Sequence, residues 1–189
     1  MINKKFFQKL KEDYGRTVNE RMQIIGKSND VLHNAKRIIF MLHRGEVDNA
    51  QKKLIEMELL IQQLEKKFGY DRISEEGSYR ASVEEYVEAK MLYFVMTGQK
   101  IDNIKEVNLG YDSYLAGLCD LTGELVRRAI NEAAVGNLHE VPKIKKIIGE
   151  IMAELIEFDM TGYLRTKYDQ ARHNLEKIEH IAYEKAIRM

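Results

Sequence analysis

Apolar residues recur at three- and four-residue spacing along almost the whole chain, and no stretch alternates as a half-buried strand would. The pattern predicts helices. The first runs from Lys4 to His43, with loosening expected near Gly15 and Gly26, and Arg44-Gly45 closes it. A second runs from Val47 to Phe68 and stops at Gly69. The polar stretch YDRISEEGS then reads as a loop. A third helix covers Tyr79 to Thr97, stopped by Gly98, and the loop GQKIDNIKEVNLGYDS leads to a fourth, Tyr111 to Val135, stopped by Gly136. Pro142 sits just inside the next start, where its missing N–H does no harm. The last fifty residues read as helical, with a break at DMTGY, residues 159 to 163. Six or seven helices with short connections predict an all-α, antiparallel helical bundle.

Composition agrees. The chain has 189 residues, enough for one ordinary domain spanning residues 1–189, and 44% of them are apolar, enough for a sizeable core. A single proline and plentiful Leu, Ile, Met, Ala, Glu and Lys favour helix. Charge changes the picture more. Lys+Arg and Asp+Glu are equal at 30 each. That balance argues against coating by nucleic acid through bulk attraction, but it leaves room for a local basic patch. One cysteine, Cys119, excludes an internal disulfide and a cysteine-rich zinc site. No run approaches a membrane span and the N-terminus lacks a signal-peptide apolar core, so a cytoplasmic protein is expected.

The candidate chemistry lies in acids that break the apolar pattern. In EYVEAKMLYFVMTG, residues 85 to 98, Glu85 and Glu88 fall on the stripe that Leu92, Val95 and Met96 mark as buried, while Tyr86, Lys90 and Tyr93 point the other way. In GLCDLTGELVRRAINE, residues 117 to 132, Leu118, Leu121, Leu125 and Ala129 form one apolar stripe. Asp120 and Glu124 project from a second face, near Ala116, Gly117 and Gly123, which would let another backbone approach. Taken singly, Glu85 reads as lying at the edge of the apolar stripe, Glu88 as satisfied by a cation from another helix, and Glu124 as paired with Arg127 or Arg128 on a solvated surface. Taken together, two consecutive helices packed antiparallel across one loop would bring both pairs to one point. Four converging carboxylates bind a cation or take up protons. All-oxygen ligands suit Mg²⁺ or Mn²⁺ rather than zinc, and such an ion keeps waters, one of which can attack a phosphodiester. A di-iron bundle would need two Glu-x-x-His pairs, and none of His33, His43, His139, His173 or His180 supplies a matching set.

These segments resemble the translin superfamily, in particular its branch of translin-associated factor X, TRAX. ERMQIIGKSNDVLHNAKRIIFMLHR, residues 20 to 44, resembles the family's first helix. EYVEA, residues 85 to 89, resembles the acidic motif of the TRAX branch, and GLCDLTGELVRRAIN, residues 117 to 131, is similar to the second signature. LRTKYDQARHNLEKIEHIAYEKAIR, residues 164 to 188, resembles the C-terminal helix. The resemblance implies an all-helical subunit, assembly into closed octamers that enclose nucleic acid, and Mg²⁺-dependent endoribonuclease activity on single-stranded RNA, with single-stranded DNA as a further ligand. Carried over by motif, it implies Glu85, Glu88, Asp120 and Glu124 as the catalytic set, with Glu85, Glu88 and Asp120 on the metal. Translin-type subunits bind RNA or DNA and lack these acids, so a non-catalytic binder is the competing reading. The chain is short and has no basic nuclear-targeting run, which favours a compact prokaryotic-type member acting as a homo-oligomer.

Cations for RNA are sought nearby. Lys36 and Arg37 precede the apolar IIFML, and Arg80 lies one turn before Glu84, so these three are the candidate phosphate contacts. Cys119 reads as a small buried residue rather than a nucleophile.

Overall fold

The structure, a computed structural model, describes residues 1–187. Seven helices are present among them: α1 Lys4–His43, α2 Val47–Phe68, α3 Tyr70–Ser74, α4 Gly77–Met96, α5 Tyr111–Ala134, α6 Glu140–Leu155 and α7 Gly162–Ile187. The all-α class and the number of helices are as expected. Residue 188, the last of the C-terminal resemblance, lies outside the described residues. α1 is opened by Asn3, whose side chain accepts from the Phe6 N–H at 3.2 Å. It runs unbroken through Gly15 and Gly26, because a lone glycine costs a helix only about 1 kcal/mol. Gly98 and Gly136 end α4 and the turn after α5 with φ of 71° and 83°, a conformation L side chains rarely adopt. Pro142 sits in the first turn of α6. The stretch expected as a loop carries α3, and α4 begins at Gly77 rather than Tyr79. Arg80 of α4 donates to the carbonyls of Ser74 and Glu75 at 2.7 and 3.1 Å, so it satisfies groups that end α3.

Helix direction is the main departure from expectation. α5 meets α4 where Gly117 lies against Glu84 and Val87, and again where Arg128 reaches the Met96 sulfur. Both numbers rise together, so α4 and α5 run parallel, not antiparallel. The same holds for α5 and α7, through Lys167 on Asp120 and Asn174 on Thr122. α1 runs with α4, since Arg21 pairs with Glu76 while Lys36 acts on Glu85. α1, α4, α5 and α7 thus form a row of parallel neighbours. α2 runs against α1 (Lys67 to Gln23, 2.6 Å) and α4, and α6 runs against α7 (Lys145 to Glu179, 3.9 Å).

Parallel neighbours need a connection that returns along their length. Residues 97–110 provide it, burying Ile104 and Val107 against the core. Gln62 donates to the Glu106 carbonyl at 2.7 Å, Lys90 binds the Glu106 carboxylate at 3.1 Å, and Asn108 donates to Glu65.

α4 sits between α1, α2 and α5 and has no free face over most of its length. Tyr86, Lys90 and Tyr93, expected to point outward, are buried together with Val87, Met91 and Leu92. Among the described residues no helix is long and apolar enough to cross a membrane.

Candidate active site

Gly117 sets the geometry of the seam between α4 and α5. A Cβ at that position would stand 2.7 Å from both the Glu84 carbonyl and the Val87 side chain. Only glycine permits so close an approach of two helix backbones. That approach brings Glu85 and Glu88 on α4 to the level of Asp120 and Glu124 on α5. The four carboxylates feel one another: Asp120 and Glu124 both act to raise Glu85 and Glu88.

The two helices supply the acids, and the outer helices supply partners for two of them. The Lys167 ammonium, from α7, binds the Asp120 carboxylate and lies 4.0 Å from Glu84. Tyr163, one turn earlier on α7, donates its hydroxyl to Glu84 at 2.7 Å. His43, the last residue of α1, lies 2.5 Å from Glu124 through Nε2, and Arg127 stands 3.4 Å from the same oxygen. Burial alone would raise Glu124, but the His43 hydrogen bond and charge outweigh it and hold the carboxyl below its usual range.

Glu85 and Glu88 receive no such help. Among the described residues neither carboxylate takes part in a side-chain hydrogen bond or an ion pair. Burial raises Glu85, Asp120 and Glu124 push the same way, and Lys36 and Lys167 oppose them. Glu88 is 8% exposed, and burial, then its neighbours Glu85, Asp120 and Glu124, push it up to about 9 against the opposing charge of Lys167. The opposite side of α4 shows how this chain treats an ordinary buried acid. Glu58 is 7% exposed, and it takes Lys90 Nζ at 2.6 Å and the Tyr86 hydroxyl at 3.0 Å. The contrast lies between the two sides of α4, with Glu58 supplied by α2 and Glu88 by α4 itself.

The donor chemistry of the seam fits a hard divalent ion: carboxylate oxygens only, with a buried carboxyl that lacks any partner. The four side chains share the seam without converging on a single point. Among the described residues no group of three or more His, Cys, Asp and Glu side chains is placed to hold one metal ion. The reason lies in the pairs just described, since Asp120 is turned to Lys167 and Glu124 to His43.

The three candidate phosphate contacts do not form one cluster. Lys36 and Arg37 share a shallow surface hollow with His33 and Phe40, and Lys36 acts on Glu85. Arg80 lies apart, in a cleft of about 960 Å³ at the N-terminal ends of α4, α5 and α7, which Glu84 and Tyr163 also line. Cys119 is 1% exposed, and burial pushes its thiol up to about 12, as befits a packing residue. The sequence reading missed Lys167, His43, Glu84 and Tyr163 as parts of the site. The i,i+4 spacing of Tyr163 and Lys167 was the only local signal.

A carboxylate seam between two parallel helices, with Asp120 held by a side chain of α7 and Glu124 by one of α1, defines an all-helical protein with an acidic cleft between its helices. The chain belongs to the Translin family, whose model matches residues 19–189. Among relatives, an uncharacterized protein of Methanocaldococcus jannaschii is 28% identical over 162 residues, covering 83% of this chain and 72% of that one. The translin-associated protein X homologue of Schizosaccharomyces pombe is 23% identical over 193 residues, covering 90% and 82%. Translin of Gallus gallus is 28% identical over only 92 residues, covering 48% and 40%. Coverage thus sets the chain with the TRAX-like branch. The fold matches solved structures of apo-NeC3PO (TM-score 0.84, 23% identity, 95% of this chain and 96% of that one) and AfC3PO (0.87, 19%, 96% and 97%). It also matches AfC3PO in complex with duplex RNA (0.81, 18%, 99% and 98%).

Proposed function

We propose that the protein is a Mg²⁺-dependent endoribonuclease acting on single-stranded RNA. The observation that carries this reading is Glu88, a buried carboxyl with no direct ion pair or hydrogen bond, set among Glu85, Asp120 and Glu124. A pure binder of nucleic acid gains nothing from carboxylates that repel phosphate. Glu85, Glu88 and Asp120 would hold the ion, with Mn²⁺ as an alternative. When bound, the ion supplies positive charge to the phosphate and makes water a better nucleophile. Glu124, fixed by His43, orients that water. A carboxylate takes its proton as the new P–O bond forms and the ester P–O bond breaks. The TRAX-like coverage supports the catalytic reading, and the RNA complex of AfC3PO supports RNA as the ligand class. We place the protein in the cytoplasm as a homo-oligomer, an octamer by family likeness.

The test is incubation of the pure protein with labelled single-stranded RNA, with Mg²⁺ and with EDTA. Glu85→Gln and Asp120→Asn should each lower cleavage at least about a hundredfold, since the amide keeps volume but removes the charge a hard ion needs. RNA binding should survive or tighten in both. A duplex of the same sequence should be cut more slowly. Near wild-type cleavage by Asp120→Asn would sink the metal assignment. Binding of single-stranded RNA or DNA without any cleavage would establish the non-catalytic binder instead.

A further inference from the structure

Lys167 is a cation in direct contact with the seam. It reaches across from α7 to two carboxylates on two different helices. Its ammonium binds Asp120 of α5 and lies 4.0 Å from Glu84 of α4. It also lies 5.4 Å from the centre of the Tyr163 ring. Tyr163 in turn holds Glu84 by a hydrogen bond of 2.7 Å. The lysine therefore has a second perch beside its first. A flexible four-carbon stem and three freely rotating donors let an ammonium move between such perches, which a guanidinium fork does not do.

Asp120 is the one candidate metal ligand in a direct ion pair. Glu85 and Glu88 have none, and Glu124 is held by His43 and Arg127. A divalent ion entering the seam must therefore take Asp120 from Lys167. Repulsion between the ion and an adjacent ammonium favours its departure toward Glu84 and Tyr163. From there the ammonium borders the cleft that Glu84 and Tyr163 line, at the N-terminal ends of α4, α5 and α7.

We propose that Lys167 is an internal counter-cation that a divalent ion displaces from Asp120, and that the displaced ammonium then meets a phosphate of the bound RNA. This rests on the metal-dependent reading given above. Lys167 thereby does two opposed things. It weakens metal binding, because it competes for a ligand, and it aids cleavage, because it adds a positive charge beside the phosphate. A lysine with only a structural role would not separate these effects.

The experiment measures Mn²⁺ binding to the full chain without RNA, by loss of the free-ion electron paramagnetic resonance signal, and RNA cleavage at saturating Mn²⁺. Lys167→Met should bind Mn²⁺ roughly tenfold more tightly than wild type, the order expected when one neighbouring charge is removed. The same variant should cleave about a hundredfold more slowly, the scale of one lost electrostatic donor. Lys167→Arg should bind Mn²⁺ several-fold more weakly than wild type, since a bidentate fork holds Asp120 harder. That second variant keeps a cation on Asp120 and so guards against a folding defect in the first. Mn²⁺ affinity unchanged or weakened in Lys167→Met, or unchanged in Lys167→Arg, overturns the displacement. Wild-type cleavage by Lys167→Met at saturating Mn²⁺ overturns the phosphate contact. A wild-type protein that binds Mn²⁺ and shows both affinity shifts, yet never cuts RNA, removes the nuclease reading and leaves the displacement standing.

Discussion

Glu58 and Glu88 lie on opposite sides of α4, nearly equally buried, and the chain treats them differently. Lys90 and Tyr86 satisfy the first, whereas the second sits among other acids and is pushed up to about 9. A folded-state value above the unfolded one means that the folded chain holds a proton the unfolded chain has already released. The stability this proton confers is fully present below about 4.5, declines as pH rises, and is gone above about 9. With no divalent ion added, Tm should therefore fall by several degrees between about pH 5.5 and 8.5, and Glu88→Gln should remove much of that fall. A wild-type Tm that is flat across this range would mean that Glu88 has a counter-charge. The amino-acid pattern pointed to Glu85, Glu88, Asp120 and Glu124 because acids on an apolar stripe stand out. It could not point to Lys167 or His43, which reach the same seam from α7 and α1 and lie 47 and 81 residues from their partners.

Between elements, the close contact at Gly117 decides whether the acids meet. Gly117→Ala would force the α4 and α5 backbones apart, since its Cβ would stand 2.7 Å from the Glu84 carbonyl. The expected cost is about 2 kcal/mol, with loss of cleavage beyond what the lower Tm explains. Gly123→Ala is the matched control. Its Cβ would meet only the flexible Asn174 amide at 3.4 Å, and better helix propensity should leave stability unchanged or slightly raised. Equal losses in both would show that glycine at 117 is not what sets the seam. Helix ends were legible because glycines at 45, 69, 98 and 136 mark them. The direction of α5 was not, because a loop of residues 97–110 fits either a turn or a return. Ile104 and Val107, buried in that loop, are what reveal a connection packed along the bundle.

For the whole molecule, the first half of α1 is a helical arm that carries exposed apolar side chains. Phe6, Phe7, Leu10, Tyr14, Val18 and Met22 are all exposed, between 38% and 70%, along one helix. Residues 1 to 12 touch nothing that buries them, and the first fully buried residue of α1 is Ile24. A contiguous apolar stripe of this kind marks an interaction surface, and a second copy of the chain is the partner that the proposed homo-oligomer supplies. Removing residues 1–18 leaves every buried residue in place. It should convert the assembly to species near the monomer mass while the remaining bundle still melts cooperatively. Light scattering checks this: wild-type protein at 22.1 kDa, the mass of one chain, would contradict it at once, and so would an unchanged large mass after truncation.

The same arm has a consequence for how the protein looks to spectroscopy as it is diluted. Some five turns of α1 hold their shape without a core beneath them, and isolated helices of that length are marginal in water. Their coil-to-helix balance must then follow subunit concentration. Far-ultraviolet ellipticity per residue should weaken on dilution below the association range, ahead of any change in tyrosine signals from the buried bundle. The truncated chain should show no such dependence. An ellipticity that is constant on dilution while the mass falls would mean the arm is a stable helix on its own.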